Sequence, residues 1–352
     1  MNTKDILTYS DFFNLTKNEL DKIGKECDII LTEDIVKQDY YYQIRNILFS
    51  NNVTEKLILN RVLAGRTSIK WFKFKIKDEV EKQKIINKLQ SEENCYDDIL
   101  EIDTNNLRTV RRYTCIKTDE ERYLMRVYVP AGTKTVNDGR SIKKFTTVNN
   151  IVIIIDIGRN FIEVRSNSKD AKKIADIVCE KLGIEMYDGA RILNKYHNSI
   201  EELRDSLFNG KFIDTTSVPD ENIALTKNDS EALANVLMAL DEYFINKDML
   251  ALSDQLSTLN IDSDGVPFTQ LFLAGMSKIG MTVRPDAEED LSFQSLYAVL
   301  KSYITNHKGF ITFSTPEDGL THTIQIGITT NSISFTSSVT EDVINYIREK
   351  IL

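Results

Sequence analysis

Residues 66–77 read RTSIKWFKFKIK and hold the only tryptophan of the 352-residue chain. A period of two runs through the stretch. Phe72, Phe74 and Ile76 fall on one side; Ile69, Trp71, Lys73, Lys75 and Lys77 fall on the other. Successive side chains of a strand point to opposite faces, so this is a strand pattern. The lysine side has two readings. Lysines deter unwanted pairing at a sheet edge, which would make this an edge strand. A flat indole among cations also suits stacking against nucleic acid bases.

Upstream, residues 9–64 carry helical spacing. In LTKNELDKIGKECD (15–28), Leu15, Leu20 and Ile23 share a side, and Thr16 with Glu19 makes a capping-box pair at the helix start. In TEDIVKQDYYYQIRNILF (32–49), Ile35, Tyr40 or Tyr41, Ile44 and Leu48 line up. A third helix starts at Thr54 and stops at Gly65. Downstream, the patterns predict a helix over 78–91 and a hairpin of strands 108–117 and 122–129 around TDEE.

An internal similarity orders the rest. IIIDIGRNFIEVRS (153–166) aligns without gaps on IQIGITTNSISFTS (324–337). Ile153, Ile155 and Ile157 match Ile324, Ile326 and Ile328; Ile162 and Val164 match Ile333 and Phe335. A helical pattern follows each copy, and a strand ending near Pro130 or Pro316 precedes it. The expected fold class is therefore α+β with antiparallel sheets and a β-β-β-α unit present twice. The expected parts are a helical domain at 1–66, a basic α+β domain at 67–187 with the first unit, a mostly helical connecting region at 188–308, and the second unit at 309–352. Helices are expected at 188–208, 229–246, 247–259, 267–279 and 289–305. Strands and helices do not alternate as a Rossmann-type sheet requires.

The net charge of −9 is uneven: residues 1–150 sum to +3 and residues 151–352 to −12. Residues 56–77 carry seven basic side chains and no acid, and residues 104–147 carry ten basic against four acidic. Such asymmetry marks a candidate polyanion-binding half beside an acidic half. Apolar content of 41% is that of a folded protein, and no run approaches the ~20 apolar residues of a spanning helix. MNTKDILTYSD lacks a signal pattern, so a cytoplasmic location and no membrane contact are expected. Cys27, Cys95, Cys115 and Cys179 form no Cys-x-x-Cys pair and read as reduced thiols.

Most catalytic signatures are missing. There is no phosphate-binding Gly-x-x-x-x-Gly-Lys, no Gly-x-Gly-x-x-Gly and no Gly-x-Ser-x-Gly, and His197, His307 and His322 make no metal-ligand spacing. No cofactor and no metal are expected. One pair of acids keeps an enzyme reading open. Asp156 and Glu163 flank the tight turn of the first copy, as in metal-dependent nucleases, but Arg165 stands where a lysine would assist the attacking water. Alternation puts Asp156, Glu163 and Arg165 opposite the Ile/Val stripe, on an expected wet face. Cross-strand charge pairing is the simpler explanation of them.

Residues 15–48 resemble a SAP-type helix–extended–helix element, a small DNA-binding module. Leu15, Thr16, Lys17, Glu19, Leu20 and Ile23 match its first helix, and Lys37, Ile44 and Leu48 its second. The glycine usual between the helices is missing, and TED (32–34) is acidic where that module tends to be basic. The order of helices, the basic strand, a hairpin and a helix is also similar in topology to the centromere protein N family, whose N-terminal region binds nucleosomal DNA. Both resemblances imply contact with DNA. The residues point the same way: Lys70, Trp71, Lys73 and Lys75 on one strand, Arg108, Arg111 and Arg112 on a second, and Lys143 and Lys144 with Arg140 in a loop. The expected function is a non-catalytic adaptor that binds DNA or RNA where these side chains converge. The acidic half would take a protein partner or a second copy. A protein assembly subunit without nucleic acid, and a nuclease using Asp156 and Glu163, are the alternatives.

Overall fold

The tryptophan-bearing strand lies inside a sheet, not at its edge. The computed structural model describes residue 11 and residues 15–26, 60–91, 111–119, 121–137, 139–219, 227–257, 278–283, 290–316 and 319–352. The elements are α1 (Lys17–Glu26), β1 (Ser68–Lys75), α2 (Glu79–Gln90), β2 (Arg111–Lys117), β3 (Arg122–Asn137), β4 (Ile142–Asp156), β5 (Phe161–Arg165), α3 (Ser168–Leu182), β6 (Glu185–Gly189), α4 (Ile200–Ser206), β7 (Lys211–Pro219), α5 (Lys227–Asn246), α6 (Met249–Ser257), β8 (Ile279–Thr282), α7 (Ser295–Leu300), β9 (Ile304–Ser314), β10 (Thr321–Gly327), β11 (Ser332–Phe335) and α8 (Glu341–Ile351). This is an α+β protein. It forms two units, residues 1–208 with 313–352, and residues 209–312. The segments 67–187 and 313–352 thus share one unit.

In the first unit the strand order is β2-β3-β4-β5-β1-β11-β10. β5 pairs antiparallel with β1 from Ile69↔Arg165 to Lys73↔Phe161. β11 takes the other side of β1 at Ser68 and Ile69, and β6 takes it from Phe72 to Lys75. The edge-strand reading of the lysines is therefore corrected: β1 is central. Its sequence shows why, because both of its faces are apolar. Phe72 and Phe74 pack with Ile153, Ile155, Ile162 and Val164 against Ile85 and Leu89 of α2 and Ala171, Ile174 and Val178 of α3. On the other face Ile69 and Trp71 are fully buried.

The two hairpin-and-helix segments flank β1. The turns β4–β5 and β10–β11 each hold an asparagine in the left-handed region, Asn160 (φ 56°) and Asn331 (φ 47°). Asparagine tolerates that region. Helix α3 is capped by Asn167 and α8 by Thr340, each side chain accepting from backbone N–H groups. The helices cover opposite faces. α3 packs on Ile162 and Val164 of β5. α8 reaches the face that carries Trp71 and Glu163.

That second face was expected to be wet, and it is buried. Trp71 Nε1 donates to Glu163 Oε2 at 2.8 Å. Arg348 of α8 donates Nε to Oε2 at 2.6 Å and Nη2 to Oε1 at 2.9 Å. Arg165 Nε donates to Oε1 at 2.8 Å, and its Nη1 and Nη2 hold Glu341 at 2.7 Å each. The correction has a physical cause. An ionised carboxylate leaves water only when paired and hydrogen-bonded, and here two arginines and an indole do both. Burial works to raise the Glu163 pKa, but the Arg348 and Arg165 guanidiniums prevail and hold it down to about 2.

Local signals read from sequence are present. Thr16 N donates to Glu19 Oε2 at 2.7 Å and Glu19 N to Thr16 Oγ1 at 3.3 Å, a closed capping box at the start of α1. Gly65 follows a short π-helical turn (Asn60–Ala64) with φ 71°, which suits a helix stop. The cysteine Cys179 is buried in the core, and burial pushes its thiol up to about 12. Cys27 and Cys95 lie outside the described residues, as does the second SAP-like helix with Lys37, Ile44 and Leu48.

The second unit departs from expectation. Between its helices, β8 and β7, which no sequence pattern had suggested, form an antiparallel sheet with β9 in the order β8-β7-β9. Of the buried positions of β7, Phe212 alone is apolar, so the strand carries no apolar stripe. Thr215 and Ser217 are fully buried and donate to Asn306 Oδ1 at 3.0 and 2.6 Å. α5 and α6 form a helical hairpin joined through Lys247 and Asp248, with Lys247 at φ 57°.

Removing the charge of Glu163 takes the buried counterion from two guanidiniums and leaves them to share the half-exposed Glu341. Glu163→Gln is expected to lower stability by about 3–5 kcal/mol, read as a drop in urea midpoint. In the unaltered protein the Glu163 contribution is complete above pH 4.5 and is lost as pH falls through about 2. The urea midpoint should therefore decline across that window, and less steeply in the variant.

Candidate nucleic-acid interface

Past Pro130 and before Val148, β3 and β4 pair only with each other among the described residues. The register runs from Gly132↔Thr147 to Asn137↔Ile142. At ~3.4 Å per residue this two-stranded ribbon reaches about 20 Å. Asn137 Oδ1 accepts from Gly139 N at 2.9 Å, and Gly139 takes φ 82° to turn the chain. Residues 131–137 and 139–144 are all exposed. The segment 131–147 carries Lys134, Arg140, Lys143 and Lys144 against Asp138, a net charge of +3. Lys134 and Lys143 share one face of the ribbon, and Lys144 lies on the other. Lys143 and Lys144, expected in a loop, sit on a strand.

At the root of the ribbon is a polar cleft of about 750 Å³. Its walls are Arg61 to Ser68, Val148 to Val152, and Arg165 to Asn167, with Asp11 and Arg126 on the inside. Four arginines from three segments meet there. Arg61 pairs with Glu19 at 2.8 Å and donates to Ser338 Oγ at 2.8 Å. Arg165 belongs to the Glu163 network. Arg126 is almost fully buried and grips Asp11 in a fork, Nη1 to Oδ2 at 2.5 Å and Nη2 to Oδ1 at 2.9 Å. Arg66 is exposed. Asn167, the cap of α3, is on the rim, so the positive end of that helix faces the same space.

The residues singled out in the sequence do not form one patch. Lys73 pairs with Phe161, which pairs with Asp156 at the far end of β4. Lys143 lies about 13 residues earlier on β4, or about 40 Å along the strand. Lys73 and Lys75 are exposed at that far end. Lys70 points to the other face, over the Phe72 ring at 5.6 Å, where burial and then Lys172 depress its pKa. Trp71 is fully buried with its N–H committed to Glu163, so no base can stack on it in this fold. Arg111 and Arg112 pair with Tyr128 and Val127, near the ribbon root. Arg108 lies outside the described residues.

The acidic pair is also separated by role. Glu163 already accepts four hydrogen bonds, which leaves no lone pair for a metal ion. Asp156 is held by Arg122, whose Nε and Nη2 both lie 3.1 Å from Oδ2, and accepts from Arg159 N at 2.9 Å. His197 pairs with Glu202 at 2.8 Å, and His322 is buried beside Phe313.

Sequence reasoning missed Lys134 and Arg126. Arg126 interrupts the apolar run YLMRVYV (123–129), and a lone arginine in a buried strand is a signal that it has a fixed partner. Compared with known proteins, the chain matches no family and no curated protein. Among the described residues no helix is long and apolar enough to cross a membrane.

The burial of Trp71 yields a direct optical test. Its fluorescence should be blue-shifted and shielded from acrylamide, and should not change when a polyanion is added. Quenching by nucleic acid would place the contact on the other end of the sheet.

Proposed function

We propose that this chain is a non-catalytic nucleic-acid-binding protein, and that its contact surface is the β3–β4 ribbon with the cleft at its root. One observation carries the reading: past Pro130 two strands pair only with each other among the described residues, residues 131–137 and 139–144 are exposed, and the segment 131–147 carries four cations against one acid. The major groove of B-form DNA admits such a ribbon, and the narrow major groove of an RNA helix does not. Duplex DNA is therefore the ligand favoured. The ribbon's cations would neutralise phosphates and release counterions, which gives affinity without sequence preference.

The test is charge reversal. Lys134→Glu, Lys143→Glu and Lys144→Glu together should weaken duplex binding at least about 100-fold, while Lys73→Glu with Lys75→Glu should leave it unchanged. With about four phosphates contacted, log affinity against log salt should slope at about −3 to −4. A mobility shift that survives the triple reversal ends the proposal.

A second reading concerns the unit 209–312. It holds 7 Lys+Arg against 15 Asp+Glu, so most of the net acidity of the chain lies there. Its helical hairpin exposes Leu237, Met238, Phe244, Ile245, Met249 and Leu250. Apolar side chains gathered on one exposed element favour a protein contact, including a second copy. Phe244→Asp with Leu250→Asp should then convert any dimer seen by light scattering to monomer. A chain that is monomeric at high concentration removes self-association as the use of this hairpin.

A further inference from the structure

We infer that the cleft at the ribbon root receives a terminal phosphate, and that Asp11 holds the place of that phosphate when no ligand is bound. The inference rests on the nucleic-acid reading above and names the group that the cleft recognises. Its starting point is Arg126. A guanidinium buried on a strand offers a fixed fork of donors, and such a fork matches a carboxylate or a phosphate. Asp11 shows that an oxyanion reaches it, with both carboxylate oxygens on the two Nη atoms at 2.5 and 2.9 Å.

The surroundings favour an anion with more charge than a carboxylate. Arg66 stands exposed on the cleft wall, and the start of α3 at Ser166 and Asn167 faces the same space. A phosphomonoester carries close to two charges at neutral pH, enough to engage Arg126 and Arg66 together. A cleft of about 750 Å³ lies within the size range of small-ligand sites, and its polar walls suit a polar guest.

Depth decides between an end and an internal position. Arg126 is only 2% exposed. An internal phosphodiester is flanked by a sugar on each side and cannot enter to a buried guanidinium. A terminal phosphate is flanked on one side only and can. The ribbon leads to the cleft, because Val148, Asn149 and Asn150 continue β4 from the ribbon into the cleft wall. DNA lying along the ribbon therefore presents its end at the cleft.

The experiment compares two duplexes of one sequence, one with 5′-phosphates and one with 5′-hydroxyls, and adds a nucleoside monophosphate as a third arm. The full chain should bind the phosphorylated duplex at least about tenfold more tightly. Arg66→Ala, an exposed change, should reduce that ratio towards one. Asp11→Ala should lower the Tm by removing the carboxylate that grips Arg126, and millimolar nucleoside monophosphate or inorganic phosphate should restore Tm in the variant more than in the unaltered protein. Restoration by the nucleotide and by inorganic phosphate alike assigns recognition to the phosphate; restoration by the nucleotide alone extends it to the base and sugar. Equal affinity for both duplexes, with no rescue of Asp11→Ala, overturns the inference and leaves the ribbon proposal standing. Loss of binding to every duplex overturns the ribbon proposal, and the Tm rescue then judges the cleft by itself.

Discussion

The carboxylate of Glu163 sits beneath α8 with two guanidiniums and an indole on its two oxygens. It ties three segments together: β1 through Trp71, β5 through its own backbone and Arg165, and α8 through Arg348, with Glu341 of the same helix closing the far side. A buried charge set of this kind is not a large net source of stability, since desolvation offsets most of the attraction. Its value is selective. Any other seating of α8 strands a charge in the interior, so few alternative packings compete.

That constraint also fixes what the sheet can do. β1 has one apolar face for α3 and one for α8, which makes it the shared element of both hairpin-and-helix segments. Its tryptophan becomes part of the interior, and its lysines are left at one end of the strand. The surface proposed for a polyanion is on strands β3 and β4, which continue to pair with each other past Pro130. Arg165 links the two regions, because its Nε holds Glu163 and its side chain also lines the cleft.

Much of the fold was legible from residue pattern. The capping box at Thr16 and Glu19, the stop at Gly65, the helix after Lys77 and the paired asparagine turns all depend on neighbours in sequence, and local chemistry decides them. What was misread depends on distant partners. Glu163 and Arg165 look solvated on an alternating strand, and only Arg348, some 185 residues away, makes them interior. β7 hides its inward face behind Thr215 and Ser217, whose partner Asn306 lies on β9. The candidate site was legible by charge and not by geometry. Counting found Lys143 and Lys144, but register alone shows that they lie far from Lys73 and that the arginines of the cleft come from three segments.

The pairing of β3 with β4 slips by one residue between Pro130 and Gly132. Proline cannot donate to the ladder, and Gly132 adopts φ 130°, outside the range open to other side chains. Bonding is continuous on either side of that slip and interrupted at it. The ribbon is therefore a lever with one joint, and the joint lies where the arm meets the cleft. Bending there would swing the arm's tip through a wide arc while the root stays nearly still, so duplexes of different curvature could be followed without disturbing whatever the cleft holds.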